Sequence, residues 1–571
     1  MFQSISLGNF KAFGPTQRIP IRPLTLIFGP NSAGKSSFIH GLLFAHEAHN
    51  SNAPNNLDVK RPRLGGDSVD LGGFRQFVHR RDLSNRVEWG VEINTSDLSG
   101  RLAELLAASK LVRLSVSIGQ PEANDDIGPR VEAYEITIDS VLLLRASLKR
   151  ANNEWQLRID QLDGDHPIMR TTVKALIESM TTTETLQPAD FEAELCSLDK
   201  LVREGISLKQ GTLLPERVLF PISKGNRDEG LTSVARLELP RVIDELIHGL
   251  ADFVGDRLKR LRYLGPLRSY PQRHWAFSED HDRNWSAGGG YAWGLIREDQ
   301  VLRLRVNQWL GGARMKTPYR LEVRDFYSAD QLEAPFLQFL TETEERLIEE
   351  FEEESEEGVH QGVLPEDYYP SFTDNRQVHP TPRSVQVLPE DYYPSITDPD
   401  GEFDSFRKLL ESSGANPIQD LVLVDVAKKT IVSHRDVGIG VSQVLPVLVS
   451  AFAADHECVA IEQPEIHLHP ALQAELGDVF INAALGGKQN TFLLETHSEH
   501  LILRIMRRIR ETTTGTLPEG CRPIRPEDVT VIYVEPSIDG SLAREMPLNE
   551  LGVLVKAWPG GFFEEGLKEV F

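Results

Sequence analysis

The chain has 571 residues and a formal net charge of −24 at pH 7, with 40% hydrophobic and 26% charged residues. This composition is that of an ordinary globular protein with room for several cores. No apolar run approaches the roughly 20 residues that cross a bilayer, and residues 1–20 lack a signal-peptide pattern, so we expect a cytoplasmic protein without membrane contact. The acidic charge argues against nucleic-acid binding over the whole surface but leaves room for one basic groove. Three widely spaced cysteines predict neither a disulfide framework nor a zinc site.

Residues 24–37, LTLIFGPNSAGKSS, read as an apolar strand, a glycine-bounded loop and the first turn of a helix. They match G-x-x-x-x-G-K-[ST], the pattern of a phosphate-binding loop whose backbone N–H groups face an anion. Lys35 adds a charge that reaches terminal phosphates, and Ser36 offers a hydroxyl to Mg²⁺. A chance glycine turn is the alternative, but the flanking strand and helix argue against it. The predicted nucleotide-binding residues are Gly29, Pro30, Asn31, Ser32, Ala33, Gly34, Lys35, Ser36 and Ser37.

The middle of the chain changes its periodicity twice. Residues 87–161 alternate apolar and polar positions, which predicts an antiparallel sheet with one solvated face. Residues 171–262 shift to a helical period and are interpreted as part of a helical insertion. Residues 336–403 hold an acidic run and two copies of VLPEDYYPS. We interpret them as a linker, in which the duplicated segment is either a docking motif displayed twice or a tolerated insertion.

Two short apolar stretches near the C-terminal end, CVAIE and TFLLE, predict buried parallel strands that each end in a carboxylate. The first ends in Glu462, which would lie beside the phosphate loop and hold Mg²⁺ through water. The second is followed by His497. Taken alone, Glu462 reads as an ordinary strand-end acid and His497 as a structural histidine. Their occurrence in one chain with a phosphate loop favours a shared site.

Upstream of these strands, DVGIGVSQVLP predicts the start of a helix at Gly440, Ser442 and Gln443. The full order is phosphate loop, glycine-serine helix start, apolar strand with acid and proline, then strand with Thr-His. This order resembles the ATP-binding-cassette type of ATPase head in SMC-like, RecF-like and OLD-like proteins. The segments LGNFKAFG and KAWPGGFFEE are also similar to parts of that group.

The resemblance implies an α/β fold, a P-loop ABC-type ATPase head split by a long insertion that contains an antiparallel sheet and a helical region. The expected domains, in order, are the N-terminal half of the head, the antiparallel sheet, the mainly helical insertion, the linker, and the C-terminal half of the head with a short tail. Their expected bounds are 1–60, 61–165, 166–335, 336–403 and 404–571.

The resemblance also implies how such a head would work. Two heads of a homodimer would enclose two ATP molecules, with Mg²⁺ held by Ser36 and Glu462. Gly440, Ser442 and Gln443 would face the γ-phosphate from the second subunit, and His497 would take the place of the switch histidine. The expected cofactors are therefore ATP and Mg²⁺.

One residue departs from the family pattern. The position after the metal-site acid is a catalytic glutamate in transporter-like heads, whereas here it is Gln463. A glutamine can orient water but cannot accept its proton. We therefore expect slow hydrolysis, unless Glu465 or another group acts as the base.

Partner expectations follow from the same resemblance. The form E-Q-P-E-x-H-L-H-P resembles a subgroup of OLD-like predicted ATPases, but only about 70 residues follow His500, too few for the Toprim nuclease domain of OLD nucleases. A nuclease would then be a separate chain, as in the Septu anti-phage system and its retron-linked relatives, whose partner is an HNH nuclease. Two rivals are a nucleotide-gated scaffold without turnover and a RecF- or SMC-like DNA-repair ATPase. The latter would bind DNA or RNA through the basic stretches 257–262 and 504–510. The alternative is that these stretches are solvated helix faces.

Overall fold

The computed structural model describes most of the chain. The described ranges are residues 2–51, 57–120, 128–151, 154–180, 205–220, 239–269, 284–312, 314–327, 329–356, 402–414, 418–432 and 439–561. Both copies of the duplicated VLPEDYYPS segment and the last four residues of the KAWPGGFFEE tail motif lie outside these ranges. Within them the architecture is mixed α/β.

The strands, in chain order, are β1 Phe2–Gly8, β2 Gln17–Pro20, β3 Leu24–Phe28, β4 Val87–Asn94, β5 Leu111–Gly119, β6 Arg130–Ile138, β7 Val141–Ala151, β8 Glu154–Leu162, β9 Ser207–Gln210, β10 Pro215–Leu219, β11 Leu261–Leu264, β12 Tyr319–Phe326, β13 Ile418–Asp425, β14 Thr430–Val432, β15 Cys458–Glu462, β16 Thr491–Glu495, β17 Val529–Glu535 and β18 Leu542–Glu545.

The α-helices, in chain order, are α1 Lys35–Asn50, α2 Phe74–Phe77, α3 Gly100–Leu105, α4 Pro167–Met180, α5 Leu239–Lys259, α6 Gly290–Glu298, α7 Gln300–Leu310, α8 Ala329–Glu356, α9 Glu402–Ser412, α10 Ile439–Ala453, α11 Pro470–Ala484 and α12 Glu499–Thr514. None of the helices in the described ranges combines the length and apolar character that a bilayer-spanning segment needs.

A nine-stranded antiparallel sheet has the order β10-β9-β8-β7-β6-β5-β4-β1-β2. In β5 every second side chain is buried, which is the period-two pattern of a sheet with one covered face. The alternating sequence of residues 87–161 predicts the middle of this sheet. The sheet also takes in β1 and β2 from the start of the chain and β9 and β10 from the region expected to be helical. Its extent therefore differs from the expected range 61–165.

A second sheet, of six strands, has the order β11-β15-β16-β3-β17-β18. The first five strands are parallel and β18 closes one edge as an antiparallel strand. Strands β3 and β16 are buried along their whole length, as expected of parallel strands covered on both faces. Because β16 lies between β3 and β15, β16 is nearer to the phosphate loop than β15 is.

The chain divides into two compact units. The first consists of Met1–Arg273, Ser278–Glu322 and Val422–Phe571 and holds both large sheets. One continuous apolar core runs through it, from Trp89 of the nine-stranded sheet past Phe38 of α1 to Leu493 of β16. All of the site residues described below belong to this unit.

The second unit consists of His274–Phe277 and Val323–Leu421. Its described part is built around α8 and α9, where the rings of Phe336 and Phe339 meet Phe406 edge to face. The acidic run that the sequence places in a linker forms the last turns of α8. Glutamate has a high helix propensity, and the apolar residues that precede the run supply a face that packs.

Candidate nucleotide site

The loop between β3 and α1 has the backbone that its glycines predict. Gly29 has φ +148°, and a Cβ there would lie 2.2 Å from the carbonyl oxygen of Val534. Gly34 precedes α1 with φ +96°, and a Cβ there would lie 2.3 Å from the Cβ of Ala12. Both positions require glycine because the chain passes too close to its neighbours for any side chain.

Lys35 and Ser36 begin α1 at the mouth of this loop. The Lys35 ammonium donates a hydrogen bond of 3.0 Å to the carbonyl oxygen of Pro30 and thus bridges the loop. Burial lowers the pKa of Lys35, while the nearby carboxylates of Glu495 and Glu462 oppose that shift. A lysine in this place presents its charge to an anion that enters the loop.

A cleft of about 380 Å³ opens at the phosphate loop. Its walls come from the hairpin before β2, from the loop and α1, and from the residues that follow β15 and β16. The lining residues are Lys11, Ala12, Asn31, Ser32, Gly34, Lys35, Ser36, Ser37, His40, Gln463, Glu495 and His497. The structure therefore brings the loop, Gln463 and His497 together, although they are separated by more than 400 residues of sequence.

Glu462 ends β15 and is only 6% exposed. Its Oε1 accepts a hydrogen bond of 3.0 Å from the phenol of Tyr263 and lies 3.5 Å from Nε2 of His40. The strand register pairs Glu462 with Glu495 on β16. Glu462, the predicted metal-site acid, therefore lies one strand further from the phosphate loop than Glu495 does.

Glu495 is the residue that sequence reasoning missed. The hydroxyl of Ser36 donates a hydrogen bond of 2.7 Å to Oε2 of Glu495, whose side chain is 5% exposed. Burial first, and then the charge of Glu462, raise the pKa of Glu495 to about 7. The sequence did indicate a candidate, because TFLLE ends in a carboxylate as CVAIE does. Neither segment, however, shows which of the two strands lies next to β3.

Gln463 lines the cleft in a left-handed backbone conformation, φ +48°. Its N–H donates to the carbonyl oxygen of Glu495 at 2.7 Å. The guanidinium of buried Arg268 donates to the carbonyl oxygens of Glu462 and Gln463, at 3.1 and 3.4 Å. These contacts offset the conformational cost of a positive φ at a residue other than glycine.

Glu465, the alternative base, is held away from the cleft by its own hydrogen bonds. Its two oxygens accept from the hydroxyl of Thr496 at 2.8 Å and from the N–H of His497 at 2.7 Å. Burial raises the pKa of Glu465, and these hydrogen bonds oppose the rise. Glu465 therefore ties the ends of β15 and β16 together. His497 itself lines the cleft, and burial, with a smaller contribution from the charge of Lys35, lowers its pKa.

The predicted signature residues lie in the first turn of α10 and are not among the residues that line the cleft. Ser442 is 3% exposed and Gln443 is 8% exposed. Gly440 packs so closely that a Cβ there would lie 2.8 Å from the carbonyl oxygen of His467. In this arrangement Ser442 and Gln443 face the protein interior.

Lys11 is a second cleft residue whose role no sequence motif indicates. It lies in a hairpin with φ +49° and donates from its ammonium to Nδ1 of His40 at 2.7 Å. Burial lowers the pKa of both Lys11 and His40. Since a protonated lysine can only donate, His40 accepts at Nδ1 and carries its proton at Nε2, toward Glu462. The hairpin thus adds a second ammonium to the phosphate-loop cleft.

The residues of the cleft fit ATP and Mg²⁺ by their chemistry. Hydroxyl and carboxylate oxygens, here those of Ser36, Glu462 and Glu495, are the hard ligands that Mg²⁺ prefers. The ammonium groups of Lys11 and Lys35 and the first turn of α1 suit the phosphates. Among the described residues there is no group of three or more His, Cys, Asp or Glu side chains that could hold a metal ion.

Comparisons with known proteins give one family match. The model of a family described as "AAA domain, putative AbiEii toxin, Type IV TA system" matches residues 319–504, which contain Glu462 and His497 but not Lys35. No curated protein sequence matches the chain. The match covers about a third of the chain.

Three solved structures are similar to the chain at low TM-scores. The first, "Crystal structure of the SmcHead bound to the C-winged helix domain of ScpA", has a TM-score of 0.34 and 9% identity and covers 96% of this chain and 98% of that chain. An Smc head domain with an extended coiled coil, bound to the C-terminal domain of ScpA derived from Pyrococcus furiosus, has a TM-score of 0.33 and 10% identity over 100% and 98%. The SMC head domain from Thermotoga maritima has a TM-score of 0.31 and 6% identity over 96% and 99%. The AAA-domain match and the geometry of the cleft together support a P-loop ATPase of the AAA type.

Proposed function

We propose that this protein binds ATP with Mg²⁺, hydrolyses it slowly, and uses the bound nucleotide to control a partner effector. The observation that carries the proposal is the cleft in which Lys35 and Ser36 of a glycine-bounded loop meet the strand-end carboxylate of Glu495. When bound, Mg²⁺ supplies positive charge that stabilises negative charge on the phosphates. Ser36 and Glu462 are the residues assigned to hold it.

Slow turnover follows from the residues around the cleft. Gln463 lines the cleft and can position a water molecule through its amide, but it cannot take the proton. Both oxygens of Glu465 are engaged by Thr496 and His497. The lack of an available base also supports a scaffold that binds ATP without turnover. A measurement of phosphate release distinguishes this scaffold from a slow ATPase.

The partner part of the proposal is a homodimer that closes around ATP and acts with a separate HNH-type nuclease in anti-phage defence. Its support is the resemblance of the E-Q-P-E-x-H-L-H-P form to OLD-like ATPases, and of an ATPase chain with a separate nuclease to the Septu-type arrangement. The matched family is described as a putative toxin of a type IV TA system, which is compatible with a defence role. Because Ser442 is buried, its contact with a nucleotide on a second subunit would require the first turn of α10 to move.

The basic stretches behind the DNA-clamp alternative are largely engaged within the protein. Arg262 pairs with Glu457 at 2.8 Å. Arg504 and Arg508 both donate to buried Asp478, at 2.6 and 2.7 Å. Guanidinium groups held in this way are less available to phosphates of a nucleic acid. We therefore favour the effector-linked ATPase over the clamp.

Isothermal titration calorimetry with ATP and MgCl₂ tests the proposal. Lys35→Ala should abolish measurable binding, because the ammonium at the loop mouth is lost from a buried site. Lys60→Ala, at an exposed lysine of the same unit, is the matched control and should bind as wild type does. Thermal midpoints would show that both variants are folded. Wild-type affinity in Lys35→Ala would refute the nucleotide site.

A further inference from the structure

Two buried carboxylates lie side by side at the ends of β15 and β16. Glu462 and Glu495 are paired in register on adjacent parallel strands and are 6% and 5% exposed. Two like charges so placed repel each other, and burial removes the water that would screen them. The nearby charge of Lys35 opposes the rise in the pKa of Glu495, and both carboxylates in turn favour the charged form of Lys35. A divalent cation beside the two paired carboxylates would therefore relieve their repulsion.

The two acids have different hydrogen-bond donors. Glu462 accepts from Tyr263 and lies beside His40, both of which hold its carboxylate from the protein side. Glu495 accepts from Ser36, the hydroxyl that opens α1 at the phosphate loop. Of the two, Glu495 lines the cleft. The acid in contact with the loop is thus Glu495.

The direction of the Ser36 hydrogen bond matters for metal binding. A serine hydroxyl has one proton and two lone pairs, and it binds a cation through a lone pair. Because Ser36 donates its proton to Glu495 at 2.7 Å, the lone pairs of its hydroxyl oxygen can bind a cation in the cleft. An ionised carboxylate is the stronger acceptor for such a proton, and a cation nearby favours that ionised form.

The charge of the site leads to the same residue. Glu462 is followed by Gln463, which carries no charge. This position therefore does not add a second carboxylate at the end of β15. The end of β16 supplies one, 2.7 Å from Ser36. The negative charge that a Mg²⁺ site needs is thus provided by a neighbouring strand.

We propose that Glu495 is the metal-positioning residue of this site, which orients the Ser36 hydroxyl toward the divalent cation through its hydrogen bond. This inference rests on the proposed ATP site and adds to it a residue from the strand that precedes His497. Glu462 keeps its assigned place as a metal ligand, and Tyr263 and His40 hold its carboxylate in position.

The test uses Mn²⁺ as the probe, with its binding to the protein–ATP complex measured by electron paramagnetic resonance. ATP binding is measured separately in EDTA and in MgCl₂. Glu495→Gln should weaken Mn²⁺ binding about tenfold or more, as expected for loss of a residue that orients a ligand. ATP affinity in EDTA should be unchanged or higher, because one negative charge near the phosphates is removed. Mn²⁺ affinity equal to that of wild type would overturn the inference.

Matched variants make the result specific. Glu47→Gln removes a buried carboxylate from the same helix as Ser36, paired with Arg63 instead, and should keep wild-type Mn²⁺ affinity. Ser36→Ala should lose Mn²⁺ affinity, and the double variant Ser36→Ala/Glu495→Gln should lose little more, because Glu495 acts through Ser36. Fully additive losses would contradict that coupling.

A failure of the proposed function looks different from a failure of this inference. If wild type binds no ATP in either buffer, the proposed function is wrong. If wild type binds ATP with a strong Mg²⁺ dependence that Glu495→Gln retains, only the role of Glu495 is wrong. Should Glu495→Gln not fold, Glu495→Asp replaces it. That variant withdraws the carboxylate from Ser36 by one methylene, and it should weaken Mn²⁺ binding as well; unchanged affinity would overturn the inference.

Discussion

Tyr263 donates a hydrogen bond of 3.0 Å to Oε1 of Glu462, joining two strands of the parallel sheet across 199 residues of sequence. Tyr263→Phe should lower the free energy of unfolding by about 2 kcal/mol, since the hydrogen bond is buried and its acceptor is a carboxylate. The change in urea midpoint at constant slope measures it.

The contrasting substitution is Tyr134→Phe in the nine-stranded sheet. The Tyr134 hydroxyl is buried and finds no hydrogen-bond partner among the described residues. Removing it should leave stability unchanged or raise it, because an unsatisfied polar group is lost. Equal losses in both variants would mean that the Tyr263 hydrogen bond contributes nothing specific.

The pKa of Glu495, raised to about 7 from an ordinary value of 4.5, predicts a pH dependence of stability in the absence of nucleotide and divalent ions. The folded state binds more protons than the unfolded state between these two values, so this carboxyl lowers stability as the pH rises from 4.5 to 7. Glu495→Gln removes this loss of stability, because its amide does not ionise. It should be as stable as wild type near pH 4.5 and more stable above pH 7, by about 3 kcal/mol at most.

Chemical unfolding in EDTA at a series of pH values tests this difference. Addition of MgCl₂ and ATP should narrow it or reverse its sign, because the ligand stabilises the ionised site of wild type. A difference between the two proteins that is constant from pH 4.5 to 8 would contradict the raised pKa.

Glu92 shows the opposite shift in the nine-stranded sheet. Burial alone would raise the pKa of Glu92, but hydrogen bonds from Arg18, Ser4 and Arg113 lower it to about 2. The folded state therefore favours the ionised form, and the resulting stability is present above pH 4.5 and is lost as the pH falls toward 2. Glu92→Gln should lower the free energy of unfolding by about 2 kcal/mol at pH 7, since both arginines are half exposed and partly screened.

Glu88→Gln on the same strand is the matched control for Glu92→Gln. Burial raises the pKa of Glu88, with an opposing hydrogen bond from Ser117, so neutralising it should cost little or raise stability at pH 7. If Glu92→Gln lost the same stability at pH 3 as at pH 7, the lowered pKa would not be its cause.

Local features of the site could be predicted from the sequence, and features that depend on strand order could not. The phosphate loop is one continuous segment, and its glycines and Lys35 lie as the pattern predicts. Glu462 was expected beside the loop, but β16 lies between them and places Glu495 against Ser36. No local pattern fixes which of two apolar strands pairs with β3.

The burial of Ser442 did have a signal in the sequence. The segment IGVSQVLPVLVSAFA is apolar on nearly every side, and a helix of that kind lies in a core. Lys11, by contrast, reaches His40 because a hairpin folds over α1, which is a contact that only the tertiary structure determines.

Gln463→Glu tests whether the missing base limits turnover. Gln463 lines the cleft, and its backbone is fixed by the carbonyl of Glu495 and by Arg268. Glutamate has nearly the same shape, so it should adopt the same position and can accept a proton from water. Phosphate release should rise about tenfold or more.

The control for this substitution is Gln489→Glu. Gln489 has the same left-handed backbone, φ +49°, but it is exposed before the first residue of β16 and does not line the cleft. It should release phosphate at the wild-type rate. The added charge of Gln463→Glu beside Glu462 and Glu495 can weaken ATP binding, so rates are compared at saturating ATP. Unchanged phosphate release at saturation in Gln463→Glu, with ATP still bound, would mean that a missing base at Gln463 does not limit turnover and would favour the nucleotide-gated scaffold.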